Sequence, residues 1–405
     1  MSVSQLARAI AESPTVRLNE KARLLREDGL PVIHLGAGEP KSKIPIDAVI
    51  AASSRIISAD VRYTPSDGIP ALKKAIVRYT EENYDLTVAP ENILVSSGAK
   101  QVLDVILTTI LNQQDEVIIL SPYWVSYPEM VKMKYGIPII VTPEDGRYHP
   151  RIEDIERKLS SYTKAIIVNS PNNPSGMVYS EEFIRQVVEL AEKKGIYVIM
   201  DDIYHKLIFD GQEFHSAYKY SKRDLDESLI IVVNGVSKAY AMTGFRIGWV
   251  VAPRKLLEVM INVQAQTTTC ASVVSQSASV GALNGIQSGV EALRVFLQNN
   301  KDVMMQELRA FDGVKVTEPG GTFYCFPDFS AYTKDSNELS RFLLEKAMVV
   351  TVPGVEFGME GHLRLSYCGT IKSIKEGVER IKWALDPNSP NEIYIGDRRM
   401  VRDWK

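Results

Sequence analysis

The sequence predicts an α/β protein, with a large domain on a mostly parallel sheet followed by a smaller α+β region. Three observations carry this expectation. Seven short apolar runs bounded by turn residues recur at residues 93–95, 117–120, 139–141, 165–168, 197–200, 229–233 and 247–251, each of strand length. Between most of them lie segments with helical apolar spacing, such as Phe183, Val187, Val188, Leu190 and Ala191. Strands alternating with helices form parallel sheets covered on both faces. After Pro253 the strand rhythm stops, and residues 255–264, 272–283 and 290–311 read as helices. From Val314 a shorter mixed pattern begins. It has Gly320-Gly321 ahead of an apolar run at 323–326, a helix near 337–346, and strand-like residues 349–352 and 363–367.

At 405 residues the chain has room for two domains and a large core. Hydrophobic content of 45% and charged content of 24% are those of an ordinary globular enzyme, with no low-complexity bias. A formal net charge of −3 offers no basic field for nucleic acid or an anionic membrane, so neither is expected as a partner. Cys270, Cys325 and Cys368 are odd in number and far apart. That spacing argues against a disulfide framework and a zinc site and fits a reducing cytoplasm, and no other metal is expected. The first thirty residues mix charged and apolar positions and read as an amphipathic helical arm, not a signal peptide or a membrane span. The tail beyond Ala384 reads as an extension, surface-bound or partly disordered.

The residues with chemical meaning fall just after the strands, where the loops of an open α/β sheet converge and ligands bind. Residues 229–233 lead into Gly235-Val236-Ser237-Lys238-Ala239-Tyr240-Ala241-Met242-Thr243-Gly244-Phe245-Arg246-Ile247-Gly248. Small neighbours around Lys238 leave room for a bulky ring. Arg246 offers a fork of donors suited to a phosphate dianion, and Ser237 adds a hydroxyl. The bland reading is a solvated lysine beside a salt-bridged arginine. Residues 197–200 end at Asp201-Asp202-Ile203-Tyr204, where a carboxylate can be held ionised in a crevice or simply cap a helix. Asn169-Ser170-Pro171-Asn172-Asn173-Pro174-Ser175-Gly176 is, by itself, a common turn sequence.

Ser96-Ser97-Gly98-Ala99-Lys100-Gln101 lies between a strand and a helix, so its backbone N–H groups point at an anion. The spacing of a nucleotide phosphate loop is absent, and Lys100 reads equally as a solvated helix-start lysine. Ser121-Pro122-Tyr123-Trp124-Val125-Ser126-Tyr127-Pro128 sets Trp124 after a strand, as a stacking ring or a core residue. His362-Leu363-Arg364-Leu365-Ser366-Tyr367 puts Arg364 on an apolar strand, where it needs an anionic ligand or an ion-pair partner. Gly36-Ala37-Gly38-Glu39-Pro40 is no dinucleotide fingerprint, because Lys41 stands where the third glycine is required. Tyr63-Thr64-Pro65-Ser66-Asp67-Gly68 reads as a surface turn.

In this order, over about residues 32–382, these motifs resemble the class I/II aminotransferases, and their wording is closest to bacterial and archaeal aspartate aminotransferases. The resemblance implies the type I fold of enzymes dependent on pyridoxal 5′-phosphate (PLP). That fold has a large domain on a seven-stranded, mostly parallel sheet and a small α+β domain made from both chain ends. It divides this chain into an arm at 1–30, small-domain residues 31–45, a large PLP-binding domain at 46–285, the small domain at 286–385 and an extension at 386–405.

The same resemblance implies the site residues. Lys238 carries PLP as a Schiff base and is the catalytic base, which requires a site that disfavours its ammonium. Gly98, Ala99, Lys100, Ser237 and Arg246 hold the phosphate side. Asp201 keeps the pyridine nitrogen protonated, Tyr204 and Asn173 reach the ring's 3-oxygen, and Trp124 stacks on its face. Arg364, Gly38, Asn173 and Trp124 meet the substrate, with Arg364 on its α-carboxylate.

The resemblance also implies a homodimer in which Tyr63 serves the neighbouring subunit. The implied reaction is transamination between an amino acid and a 2-oxo acid, with L-aspartate and 2-oxoglutarate giving oxaloacetate and L-glutamate. Aromatic, prephenate, alanine or kynurenine aminotransferases, or a carbon-sulfur lyase, share the same cofactor residues. Two departures stand out. Gly235 replaces the serine many relatives use, and no second arginine presents itself for a distal carboxylate. That role is left to Lys100 or the segment around Ser13 and Thr15.

Overall fold

The computed structural model describes all residues except 1, 11–13, 144–147, 149, 396–397 and 405. Two N-terminal helices, α1 (Gln5–Ala9) and α2 (Pro14–Glu27), lead to a short strand β1 (Ile33–His34). The larger unit then runs through α3 (Ile46–Ile57), α4 (Pro70–Tyr84), β2 (Ile93–Ser96), α5 (Ala99–Ile110), β3 (Glu116–Leu120), α6 (Ser126–Lys132) and β4 (Ile137–Val141). It continues with α7 (Ile152–Glu156), β5 (Thr163–Asn169), α8 (Glu181–Lys194), β6 (Tyr197–Asp201), β7 (Ile230–Gly235), β8 (Gly248–Val251), α9 (Arg254–Thr267) and α10 (Val273–Asn284).

Strands β2 to β8 form one seven-stranded sheet in the order β2-β8-β7-β6-β5-β3-β4. All neighbouring pairs are parallel except those of β8, which is antiparallel to both β2 and β7. Every apolar run expected to be a strand of the large domain is one. Alternate residues feed the two faces: Ile118, Leu120, Ile166 and Val168 join one buried cluster, and Val117, Ile119, Ala165 and Ile167 join the other. Helix α8 shows why these helices form where they do. Ser180 caps it by accepting from the Phe183 N–H, Glu181 and Glu182 stand in its first turn, and Lys193 and Lys194 stand in its last. Its apolar stripe is buried on the first sheet face.

The smaller unit contains α11 (Ser288–Arg309), β9 (Tyr324–Cys325), α12 (Ser336–Ala347), β10 (Val349–Val350), β11 (Val352–Pro353), β12 (Leu363–Ser366) and α13 (Ile371–Leu385). Strands β11, β12 and β9 form an antiparallel sheet. The N-terminal strand β1 pairs in parallel with β10, which brings residues 33–38 against the C-terminal third of the chain. Sequence periodicity did not signal β1, because two residues are too few to show a period.

Of the two expectations for the extension, surface-bound or partly disordered, the described residues take the first. It folds as a hairpin, β13 (Glu392–Ile395) and β14 (Arg398–Val401). Trp404 packs edge-on against Phe342 and Trp383, with ring centroids 5.4 and 5.3 Å away, and its indole N–H donates to the Ala384 carbonyl. Lys346 pairs with Asp403 beside them. Trp404→Ala is expected to cost about 2 kcal/mol, seen as a lower thermal midpoint by circular dichroism. An unchanged midpoint means the hairpin contributes nothing to the fold.

Candidate active site

The carboxyl ends of β5, β6 and β7, the start of α5 and the β12 strand close around one cleft with a volume of about 830 Å³. Of the residues expected there, Gly38, Ala99, Lys100, Trp124, Asn173, Asp201, Tyr204, Ser237, Lys238, Arg246 and Arg364 all line it. Gly98 stands immediately behind the wall. Its backbone has φ +90°, and a side chain at that position would meet the Arg246 guanidinium at 2.5 Å. Tyr63 lies outside the cleft and is 87% exposed. Ser13 and the side chain of Thr15 lie outside the described residues.

Lys238 follows β7 and donates from Nζ to the Gly38 carbonyl at 2.8 Å. Burial holds its ammonium down to about 8, with Arg364 and Arg246 adding repulsion against the opposing pull of Glu39. A useful fraction of Lys238 is therefore the neutral, nucleophilic amine near neutral pH. The departure at Gly235 has a packing cause. A Cβ there would sit 2.8 Å from the Ile247 carbonyl and 3.1 Å from the Gly248 Cα, so the β7–β8 approach excludes serine.

Asp201 ends β6 and is buried. Burial raises its carboxyl to about 6 despite a 2.6 Å donation from the Tyr127 hydroxyl to Oδ2. Its other oxygen, Oδ1, is buried without a partner. A carboxylate left half-satisfied in a cleft is a receptor for a cationic N–H. Asn169 braces the floor, donating to the Asp201 carbonyl at 2.7 Å and accepting from the Asn173 N–H at 2.8 Å.

Arg364 projects from β12. It donates to Asn173 Oδ1 at 3.0 Å and to the Gly36 carbonyl at 3.1 Å, and it lies 4.3 Å from the Tyr324 ring centroid. Its Nε is buried and unpartnered. No carboxylate neutralises it among the described residues, so its remaining donors suit an incoming carboxylate. Lys100 stands 4.9 Å from the Trp124 ring, its ammonium lowered by burial and by Arg246. The first amides of α5, at Ala99 and Lys100, and the guanidinium of Arg246 bound one end of the cleft as an anion cup.

These residues fit PLP by three independent observations. The orphaned Asp201 Oδ1 suits a pyridinium, the cup at Gly98–Lys100 and Arg246 suits a phosphate, and Lys238 suits an aldehyde. Among the described residues no His, Cys, Asp and Glu grouping suited to a metal occurs.

Sequence reasoning missed several members of the site. Tyr127 lay inside a run already singled out, three residues after Trp124, and its tie to Asp201 is tertiary. Tyr324 lay in an apolar run with nothing to mark it. His34, Lys41, Arg23 and Arg26 reach the cleft from the N-terminal segment, and nothing in sequence links them to Arg364.

In protein without cofactor, ionised Asp201 is a liability. Its carboxyl is raised from 3.8 to about 6, so the native state binds more protons than the unfolded chain, and stability falls as pH rises through that window. Asp201→Asn is therefore expected to unfold at a higher temperature than wild type at pH 7 without cofactor, by on the order of 2–3 kcal/mol. The gain should vanish below pH 4, and PLP affinity should drop. A variant less stable than wild type at pH 7 contradicts this account.

Comparison with known proteins agrees with this geometry. The pattern of the family described as aminotransferase class I and II matches residues 31–381. A probable aspartate/prephenate aminotransferase of Aquifex aeolicus is 38% identical over 380 residues, covering 92% of this chain and 96% of that protein. An aspartate aminotransferase of Bacillus subtilis is 34% identical over 395 residues, covering 96% and 100%. Among solved structures, the Thermus thermophilus aspartate aminotransferase with maleate superposes with a TM-score of 0.89 at 36% identity, over 95% of this chain and all of that one. A family pattern spanning nearly the whole chain, joined to a cleft that assembles its motifs, places this chain in the class I and II aminotransferase family.

Proposed function

We propose that this chain is a PLP-dependent aminotransferase that moves the amino group of L-aspartate to 2-oxoglutarate. The observation that carries the reading is a set of three groups facing one cleft that PLP or an amino acid would engage: Asp201 Oδ1 and Arg364 Nε, both buried and unpartnered, and Lys238, whose ammonium is held down to about 8 so that a fraction of the amine is neutral. Bound there, PLP supplies an electrophilic carbon for the amine and a ring that draws electrons from the substrate's Cα. Asp201 holds a proton on the ring nitrogen. Tyr204 and Asn173 reach the ring oxygen, Trp124 covers a face, and Gly98, Ala99, Lys100, Ser237 and Arg246 hold the phosphate.

Arg364 binds the α-carboxylate, with Asn173 and Gly38 beside it, and turns the Cα–H bond toward Lys238. Lys238 Nζ takes that proton as base, a role suited to an amine held at about 8. Lys100, set inside the cleft beside Trp124, takes the distal carboxylate. The names of the relatives, aspartate and aspartate/prephenate aminotransferases, favour a dicarboxylic substrate.

The working unit in this reading is a homodimer with Tyr63 serving the partner's phosphate. Helix α3 exposes Ile46, Ile50 and Ile57 next to Val61 and Tyr63, an apolar face of the kind that subunits cover. The division at about residues 45, 285 and 385 separates the sheet-bearing domain from a small domain built of both chain ends. No helix among the described residues is long and apolar enough to cross a membrane, and the three cysteines carry free thiols, which fits a reducing cytoplasm.

The test is a half-reaction screen in which single amino acids are mixed with the PLP-loaded protein and loss of the cofactor's absorbance band is followed. Aspartate and glutamate should bleach the band and Lys238→Ala should lack it. Lys100→Ala should lower kcat/KM for aspartate by about tenfold, relative to alanine. Bleaching by aromatic amino acids alone defeats the dicarboxylate assignment.

A further inference from the structure

The cleft holds more positive charge than this chemistry uses. Seven cationic and three carboxylate side chains line it, in a chain whose formal net charge is −3. Lys238, Arg246, Arg364 and Lys100 have roles above. Glu27 pairs with Arg23, while Glu39 and Asp201 accept from the neutral Thr243 and Tyr127 hydroxyls at 2.7 and 2.6 Å and keep their charges, so the cations outnumber the carboxylates by four. Arg26 and Lys41 remain. Both are exposed at the mouth, and neither has a carboxylate within ion-pair distance among the described residues. Arg26 is oriented by two donations to the Val32 carbonyl, at 3.3 and 3.2 Å. Burial and the nearby Arg26, Lys41 and Arg364 cations hold the His34 imidazole down to about 4, so it is neutral at physiological pH and adds no charge of its own.

A solvated lysine and a backbone-braced arginine are each commonplace. Two cations without an ion-pair partner at a concave mouth where cations outnumber carboxylates, in a net-negative protein, are not. Low-dielectric walls focus such a field and raise the local concentration of anions. We propose that Lys41 and Arg26 form an outer anion site that captures a dicarboxylate before its α-carboxylate passes inward to Arg364. The identification of that dicarboxylate as amino acid or 2-oxo acid rests on the aminotransferase reading. Two carboxylates suit the arrangement because one stays with the outer pair while the other exchanges water for the buried guanidinium.

The site is tested in PLP-loaded wild type, Lys41→Glu and Lys41→Arg. Succinate binding is followed by calorimetry and kcat/KM for aspartate is measured, both at ionic strengths of about 0.01 and 0.5 M, where screening lengths differ roughly sevenfold. Lys41→Glu should weaken succinate binding and lower kcat/KM about tenfold at low salt, kcat should change less, and the loss should shrink at high salt. Lys41→Arg should restore most of it. No loss at low salt, an equal loss at both salts, or an arginine variant as poor as the glutamate one overturns the outer site. Wild type that binds succinate in this salt-dependent way yet transaminates no amino acid overturns the aminotransferase reading alone. Aspartate turnover with salt-insensitive succinate binding overturns the outer site alone.

Discussion

Burial of the Asp201 carboxylate at the end of β6 is the constraint around which the cleft is organised. β6 lies in the interior of the sheet, between β5 and β7, so its last residue is buried at the floor of the cleft. Burial raises the carboxyl to about 6, opposed first by the Tyr127 phenol and then by the Ile203 backbone N–H and the Lys238 charge. Lys238 and Arg364 face the converse difficulty, being cations away from water with backbone and amide oxygens for company. A cationic ring nitrogen suits the unpartnered Asp201 oxygen, an aldehyde suits the Lys238 amine, and a carboxylate suits the open donors of Arg364. Electrostatic cost held by the fold is recovered on binding, which is how a site becomes both selective and reactive.

Backbone geometry delivers these groups. The antiparallel strand β8, wedged between β2 and β7, begins at Gly248 against the start of α5, and the turn just before it presents Arg246 there. A side chain on Gly248 would collide with Ala99 N at 2.4 Å, and one on Gly98 would collide with Arg246. Missing side chains at these crossing points let helix amides and a guanidinium reach one anion cup. The same logic accounts for Gly235, where the place of a possible hydroxyl is taken by the approach of the Ile247 carbonyl.

The second half of the site comes from the chain's two ends. β1 pairs with β10, which seats Gly36 and Gly38 where Arg364 and Lys238 donate to their carbonyls. Helix α12 packs between the N-terminal helix, through Lys21–Glu345, and the C-terminal hairpin, through Lys346–Asp403. Elements that look peripheral in sequence thus set the position of the wall that carries the mouth cations Arg26 and Lys41.

The seven strands, the alternation with helices and the motif residues after each strand were legible because they depend on local periods and on short runs whose spacing is itself the signal. Lys238, Asp201, Asn173, Trp124 and Arg364 were singled out because the motifs that hold them resemble those of the class I/II aminotransferases, and the cleft brings all five together. The two-residue β1, the C-terminal hairpin and the pairing of Tyr127 with Asp201 were not legible. Their stability comes from partners far along the chain, and no local pattern encodes a distant contact. The sequence by itself determined the order and wording of the motifs, and their resemblance to those of class I/II aminotransferases is what implies PLP chemistry. Only the tertiary structure decided which cations remain unpaired at the mouth, because charge compensation is a property of space and not of spacing.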